Sequence, residues 1–241
     1  MNIVLTNYFA TKKDPQRGKL QAPHSFDKMK EWYNSLHKHD LSGVIFHDHL
    51  MSVFIDEYST ENLSFKKVQL GKYPLNCERF FHFYDYVKNH RSEIDNVLMT
   101  DLFDVDFWGD PFILFSDEYK IYAGDEENTI GKNKWMLRYY RMMENWFSDI
   151  NYPRNFFTQQ TISPGIFGAE TELFLEVSAG VIDFFERLPD RIPENYGGVD
   201  MPIFALVVRQ KFAERNILHG YPLNSRYKEY EKKGGFYIRH K

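Results

Sequence analysis

Short apolar runs of strand length alternate with amphipathic helical stretches at least three times before residue 100, and no other feature narrows the fold so far. The spacing predicts strands at Ile3–Leu5, Gly43–His47, Lys67–Leu70 and Asn96–Thr100. Between them it predicts a helix through Phe26, Met29, Trp32 and Leu36 with Ser25 as N-cap, and another over residues 77–90. Such alternation implies an α/β sandwich with a mostly parallel, Rossmann-like central sheet flanked by helices. Helical spacing returns at Met136–Phe147, Phe174–Leu188 and Met201–Phe212, and Gly235–Arg239 reads as a terminal strand. With 241 residues and no internal repeat, the chain is expected to form one large domain, alone or as one domain of a longer protein.

Composition excludes several functions. The net charge is −4, against the basic footprint that nucleic-acid binding needs. No apolar run reaches about 18 residues, so no membrane span is expected, and the first residues lack the pattern of a signal peptide. A single cysteine, Cys77, rules out an internal disulfide and a cysteine zinc cluster, which suits a reducing, cytoplasmic setting.

In open α/β sheets ligands bind beyond the carboxyl ends of the strands. The segment after the fourth strand, Thr100-Asp101-Leu-Phe-Asp104-Val-Asp106-Phe, puts three carboxylates among apolar residues there. Burying unpaired carboxylates costs several kcal/mol each, roughly, unless a cation or donors compensate. A hard divalent cation, Mn²⁺ or Mg²⁺, would take such oxygens and keep positions open for phosphate. The alternative is a turn with Asp caps and one salt bridge. Alternation along an extended segment would set Asp104 and Asp106 on one side, and Asp110 before Pro111 reads as a turn cap.

This element, Val97-Leu-Met-Thr-Asp101-Leu-Phe-Asp104-Val-Asp-Phe-Trp-Gly-Asp110-Pro-Phe112, together with Asn76-Cys-Glu-Arg79-Phe-Phe, resembles a group of GT-A-fold glycosyltransferases. Their DxD-like motif runs roughly TD-x-x-D-V-x-F-x-x-D-P-F. Ser163-Pro-Gly165-Ile-Phe-Gly168 is similar to their small-residue turn. Gly197-Gly198-Val-Asp200 is similar to their G-x-D-Q element, with Met201 in place of Gln. The resemblance covers about residues 1–212. It implies a nucleotide-binding half (1–112), an acceptor-side half (113–241), and a metal-dependent transfer of sugar from a nucleoside diphosphate to a hydroxyl on a glycan or glycoconjugate. UDP-sugars are the favoured donors and GDP-sugars a second possibility.

By the same resemblance, Asp101 and Asp104, with Asp106 as a further carboxylate, hold the metal. A late histidine joins them, His240 in preference to His219. The loop after the first strand would hold the base and ribose through Thr6, Asn7 and Tyr8, with Tyr8 stacking. Arg17 and Lys241 would meet the diphosphate, and Asp48 would accept from the base. Asn76 and Arg79 open a helix beside the same edge, where Arg79 either binds ligand or pairs with Asp101 or Asp104. Gly165 would let the backbone approach the sugar. Asp200 is either a helix cap or the general base of an inverting transfer. The cluster Asp125-Glu126-Glu127 is either a solvated loop or a set of sugar contacts. Paired histidines at 37, 39, 47 and 49 read as surface or strand-end residues. A nucleotidyltransferase or other sugar-nucleotide enzyme stays open as an alternative, although residues 6–17 carry no glycine for a phosphate loop. So does a non-catalytic glycan- or protein-binding domain.

Overall fold

A computed structural model describes residues 1–14, 18–115, 120–189, 198–226 and 234–241. In chain order the main elements are β1 (Asn2–Tyr8), α1 (Phe26–Lys38), β2 (Gly43–His47), α2 (Ser52–Tyr58), β3 (Leu63–Lys67), α3 (Leu75–Asn89), β4 (Asn96–Thr100) and β5 (Val105–Phe107). These are followed by β6 (Ile121–Thr129), α4 (Lys134–Trp146), β7 (Gln160–Glu170), α5 (Thr171–Glu186), α6 (Asp200–Lys211), β8 (Ile217–His219) and β9 (Ile238–His240). Seven strands form one sheet in the order β3-β2-β1-β4-β7-β6-β8, while β5 and β9 pair separately. Strands β1 to β4 run parallel to one another, and β7 is antiparallel to both β4 and β6.

Strand β1 lies inside the sheet, and its side chains alternate between two cores. Ile3, Leu5 and Phe9 pack toward α3, α4, α5 and α6, whereas Val4 and Tyr8 pack toward α1, α2 and β5. The chain leaves β1 through α1 to β2 on one side. It later returns through α3, on the opposite face, to β4 on the other side of β1. The carboxyl ends of β1 and β4 therefore flank a topological switch point, where the splayed connections leave a crevice.

Three local features depart from the expected pattern. The third strand is Leu63–Lys67 instead of Lys67–Leu70. As an edge strand it exposes Ser64, Lys66 and Lys67, which masks its period, while Val68 and Leu70 pack against the α3 side. Ser25 stands at the N-cap position of α1, but its side chain makes no capping bond. Gly165 and Gly168 lie within β7, which runs on to Glu170, and do not form a turn before a helix. Part of that expectation survives as a bulge. On β6, adjacent Ala123 and Gly124 pair with Phe167 and Ser163, so Pro164, Gly165 and Ile166 have no partner there. Pro164 has no N–H to give to a ladder, and such bulges re-aim a strand. Gly165 is thereby turned to β4, where its carbonyl accepts from the Asp101 N–H at 2.8 Å.

Candidate functional site

The crevice at the switch point is an open cleft of about 800 Å³, including solvent at its mouth. Asn7 and Phe9 line it from the end of β1, Asp101 to Asp104 from the end of β4, Asn76 and Arg79 from α3, Ser163 to Gly165 from the β7 bulge, and Asp200 and Met201 from α6. A guanidinium stands at its centre. Arg79 donates from Nη1 to Asp101 Oδ1 at 2.5 Å and from Nη2 to Asp200 Oδ2 at 3.1 Å. The Arg79 and Asp200 side chains are 5% and 6% exposed, and that of Asp101 is 35% exposed because it faces the cleft.

These partners split the two carboxyls. Burial pushes Asp101 up, but Arg79 and His240 together outweigh it and hold the group well below the usual carboxylate range. Burial also pushes Asp200 up. Arg79 draws it down, the charge of Asp101 adds to the rise, and the net result is a raised pKa. Position alone would give the opposite expectation, since a helix start favours the charged form. Asp200 is the first helical residue of α6 and Val199 is its N-cap, so the side chain is turned to Arg79.

His240 reaches Asp101 through the small sheet. Strand β9 pairs with β5 so that His240 lies opposite Val105, and Ser225 Oγ accepts from its backbone N–H at 3.0 Å. The ring is buried with Nε2 3.7 Å from Asp101 Oδ2. A Cβ at residue 165 would fall 2.7 Å from both Asp101 Oδ2 and His240 Cε1, so glycine there is a requirement of space. Among the described residues no three His, Cys, Asp or Glu side chains converge into a closed metal cage. Asp101 and Asp104 line the cleft, and His240 stands behind Asp101 with Nε2 3.7 Å from its Oδ2.

Several expected site residues lie elsewhere. The Tyr8 ring is fully buried against Phe54 and Phe103, and its hydroxyl donates to the Ala22 carbonyl at 2.7 Å, which leaves no face for a base. Thr6, on the same face of β1, donates to the Thr100 carbonyl at 2.8 Å. Asp48 accepts from the Ala10 and Thr11 N–H groups at 2.9 and 2.8 Å and from the Thr11 hydroxyl, so it clamps the loop after β1. Asp106 does not share a side with Asp104. It is bound by Arg239 at 2.8 and 3.0 Å and by the Trp108 indole N–H, because β5 pairing sets it beside Arg239. The Lys241 ammonium is taken by Glu31 and Asp106. Arg17 and Gly197 fall outside the described residues.

Asp110 caps a short turn by accepting from Phe112 N–H at 2.9 Å, as its place before proline implies. Asp125 is buried within β6, beside Asn224 at 3.3 Å and His219 at 3.4 Å, and is not a solvated loop residue. His47 is buried at the end of β2 and its Nδ1 accepts from the Leu50 N–H.

Sequence reasoning missed Phe9, Asp14, Trp135 and Ser163 as cleft residues. Phe9 becomes visible once β1 is extended to Tyr8, and Ser163 lies in the glycine segment already singled out. It also missed Glu78. That carboxylate accepts from the Gly71 and Tyr73 N–H groups, each at 2.9 Å, and from the Lys12 ammonium at 2.7 Å, so it ties the first loop to α3.

No protein-family model matches the chain, and no curated protein matches it.

Proposed function

We propose that this chain is a GT-A-fold, metal-dependent glycosyltransferase that moves a sugar from a nucleoside diphosphate to a hydroxyl acceptor. The observation that carries the reading is the Asp101–Arg79–Asp200 bridge at a sheet switch point, with Gly165 leaving room beside Asp101 and His240. A buried charge cluster in a cleft, with its carboxyls shifted in opposite directions by specific partners, is a functional-site candidate. Asp101 is held by Arg79, and its partial exposure gives a ligand access to one side of it.

In this reading the nucleotide lies at the β1 end, near Asn7 and Asp14, and its diphosphate crosses toward Arg79. A bound Mn²⁺ or Mg²⁺ would be held by Asp101, Asp104 and His240 and would supply charge for the departing phosphate oxygen. The acceptor oxygen attacks the anomeric carbon, the carbon–oxygen bond to phosphate breaks, and the diphosphate leaves with that electron pair. Asp200 takes the acceptor proton. Its raised pKa suits a base better than an ordinary surface carboxylate. Arg79 holds Asp200 in place and carries positive charge toward the leaving group. Tyr8 and Asp48, the residues expected to hold the base, are engaged in the fold, so UDP enters as the first donor to assay on the strength of the resemblance alone.

The test is nucleotide binding with and without Mn²⁺. Asp104→Asn should lose Mn²⁺-dependent UDP binding and keep its melting temperature. Normal binding in that variant would remove Asp104 from the metal site.

A further inference from the structure

We infer that Trp135 is the stacking platform of an acceptor subsite, and that the acceptor is therefore a glycoside instead of a peptide hydroxyl. The inference rests on the glycosyltransferase reading and deepens it. The cleft has two ends, set by strand order. Asn7 and Phe9 stand at β1, while Ser163 and Trp135 stand beyond β4, on β7 and on the helix that follows β6. Arg79, Asp101 and Gly165 lie between them. If the donor occupies the β1 end, the far end is left for the acceptor.

Trp135 is fixed there from three directions. It is the second residue of α4, and the Asn133 side chain accepts from its backbone N–H at 3.1 Å. Asn133 is itself held by donating to Glu126 at 3.0 Å. The indole leans on the Tyr139 ring, with centroids 4.5 Å apart. At its other edge a Cβ on Gly198 would come within 2.6 Å of Trp135 Cζ2. Gly198 therefore lies directly on the indole, and Asp200, two residues on, shares that wall.

The core takes up only part of this tryptophan, which packs partly buried against it and also lines the cleft. The inward face of α4 is filled by Met136, Tyr139, Tyr140 and Met143, whereas Trp135 is only half-buried. An indole that lines a wet cleft and keeps part of its surface exposed can meet the flat C–H face of a pyranose ring and leave the sugar hydroxyls for polar neighbours. A peptide hydroxyl offers no such face. Fixed beside Asp200, the platform would align one sugar hydroxyl with the base.

The experiment compares Trp135→Ala, Trp135→Phe and Gly198→Ala with the wild type. It measures hydrolysis of the UDP-sugar, transfer to a panel of methyl glycopyranosides and to a Ser/Thr peptide, and tryptophan fluorescence on titrating the glycosides. Trp135→Ala should raise the KM for glycoside by about tenfold, with a much smaller effect on hydrolysis. Trp135→Phe should keep most transfer but lose the fluorescence response, and Gly198→Ala should behave like Trp135→Ala. Transfer to peptide in preference to glycosides would overturn the inference, as would a normal glycoside KM in Trp135→Ala. Parallel loss of hydrolysis in Trp135→Ala would also overturn it, by showing a structural role. If the wild type neither hydrolyses nor transfers from any nucleotide-sugar, the glycosyltransferase reading fails, and glycoside-induced fluorescence lost in Trp135→Phe would still establish the platform.

Discussion

Replacing Arg79 by methionine removes the cation that bridges both central carboxylates. Breaking a buried pair by deleting one partner costs about 3–5 kcal/mol, because the surviving charge stays desolvated. The two carboxylates share that cost unequally. Asp101 is about one-third exposed and water relieves it, whereas Asp200 at 6% is not relieved. The lower end, about 3 kcal/mol at pH 8, is therefore expected. For a chain of this size that corresponds to a fall in Tm of roughly 6–12 °C. The cost must depend on pH. Without Arg79 the folded pKa values of both carboxyls rise, and a group with a raised folded pKa gives stability at low pH that is lost as pH climbs through it. Urea unfolding at pH 8 and pH 5 should show a smaller penalty at pH 5, by about 1.4 kcal/mol for each unit by which a folded pKa exceeds that pH. Mn²⁺ should also raise the variant's Tm more than the wild type's, since the metal replaces the lost charge at Asp101. A penalty below about 1 kcal/mol, or one equal at both pH values, would refute this reasoning.

Other perturbations separate the parts of the site. Asp200→Asn should reduce transfer by roughly 10²–10⁴-fold while donor binding survives; transfer near wild type would make Asp200 a partner of Arg79 only. With a raised pKa, Asp200 is protonated at acid pH, so kcat/KM for transfer should rise with pH through a value above the ordinary carboxylate 3.8. A flat acid limb in a pH–rate series would contradict that role. Gly165→Ala forces a Cβ to within 2.7 Å of Asp101 and His240 and should abolish Mn²⁺ binding measured by electron paramagnetic resonance. Retained Mn²⁺ affinity there would place the metal elsewhere.

The sequence revealed what depends on local period and on strand ends. The alternation before residue 100 gave the parallel sheet, and the carboxylates after β4 pointed to the cleft. Contacts set by pairing across the chain stayed hidden. Asp104 and Asp106 look equivalent in sequence, yet the β5–β9 ladder carries Asp106 to Arg239 while Asp104 lines the cleft. The same ladder brings His240 to Asp101, which position after a terminal strand could suggest but not specify. Tyr8 failed as a base platform for a one-residue reason. Alternation in β1 sends it to the α1 side, while its neighbours Asn7 and Phe9 face the cleft. Arg79 pairs with Asp101, one of the alternatives the sequence left open, and also with Asp200, 121 residues away, and no local pattern encodes that second bond.

The most direct test of a metal-assisted nucleotide-sugar site is a thermal-shift panel of nucleotide-sugars, with and without Mn²⁺, on the wild type and on Asp101→Asn. A ligand at about 100 times its Kd stabilises by about 2.7 kcal/mol, which for a chain of this size is roughly 5–11 °C. At least one nucleoside diphosphate sugar should give such a shift with Mn²⁺, a smaller one without it, and none in Asp101→Asn relative to that variant's own baseline. No shift with any nucleotide-sugar, or an equal shift in Asp101→Asn, would contradict the assignment.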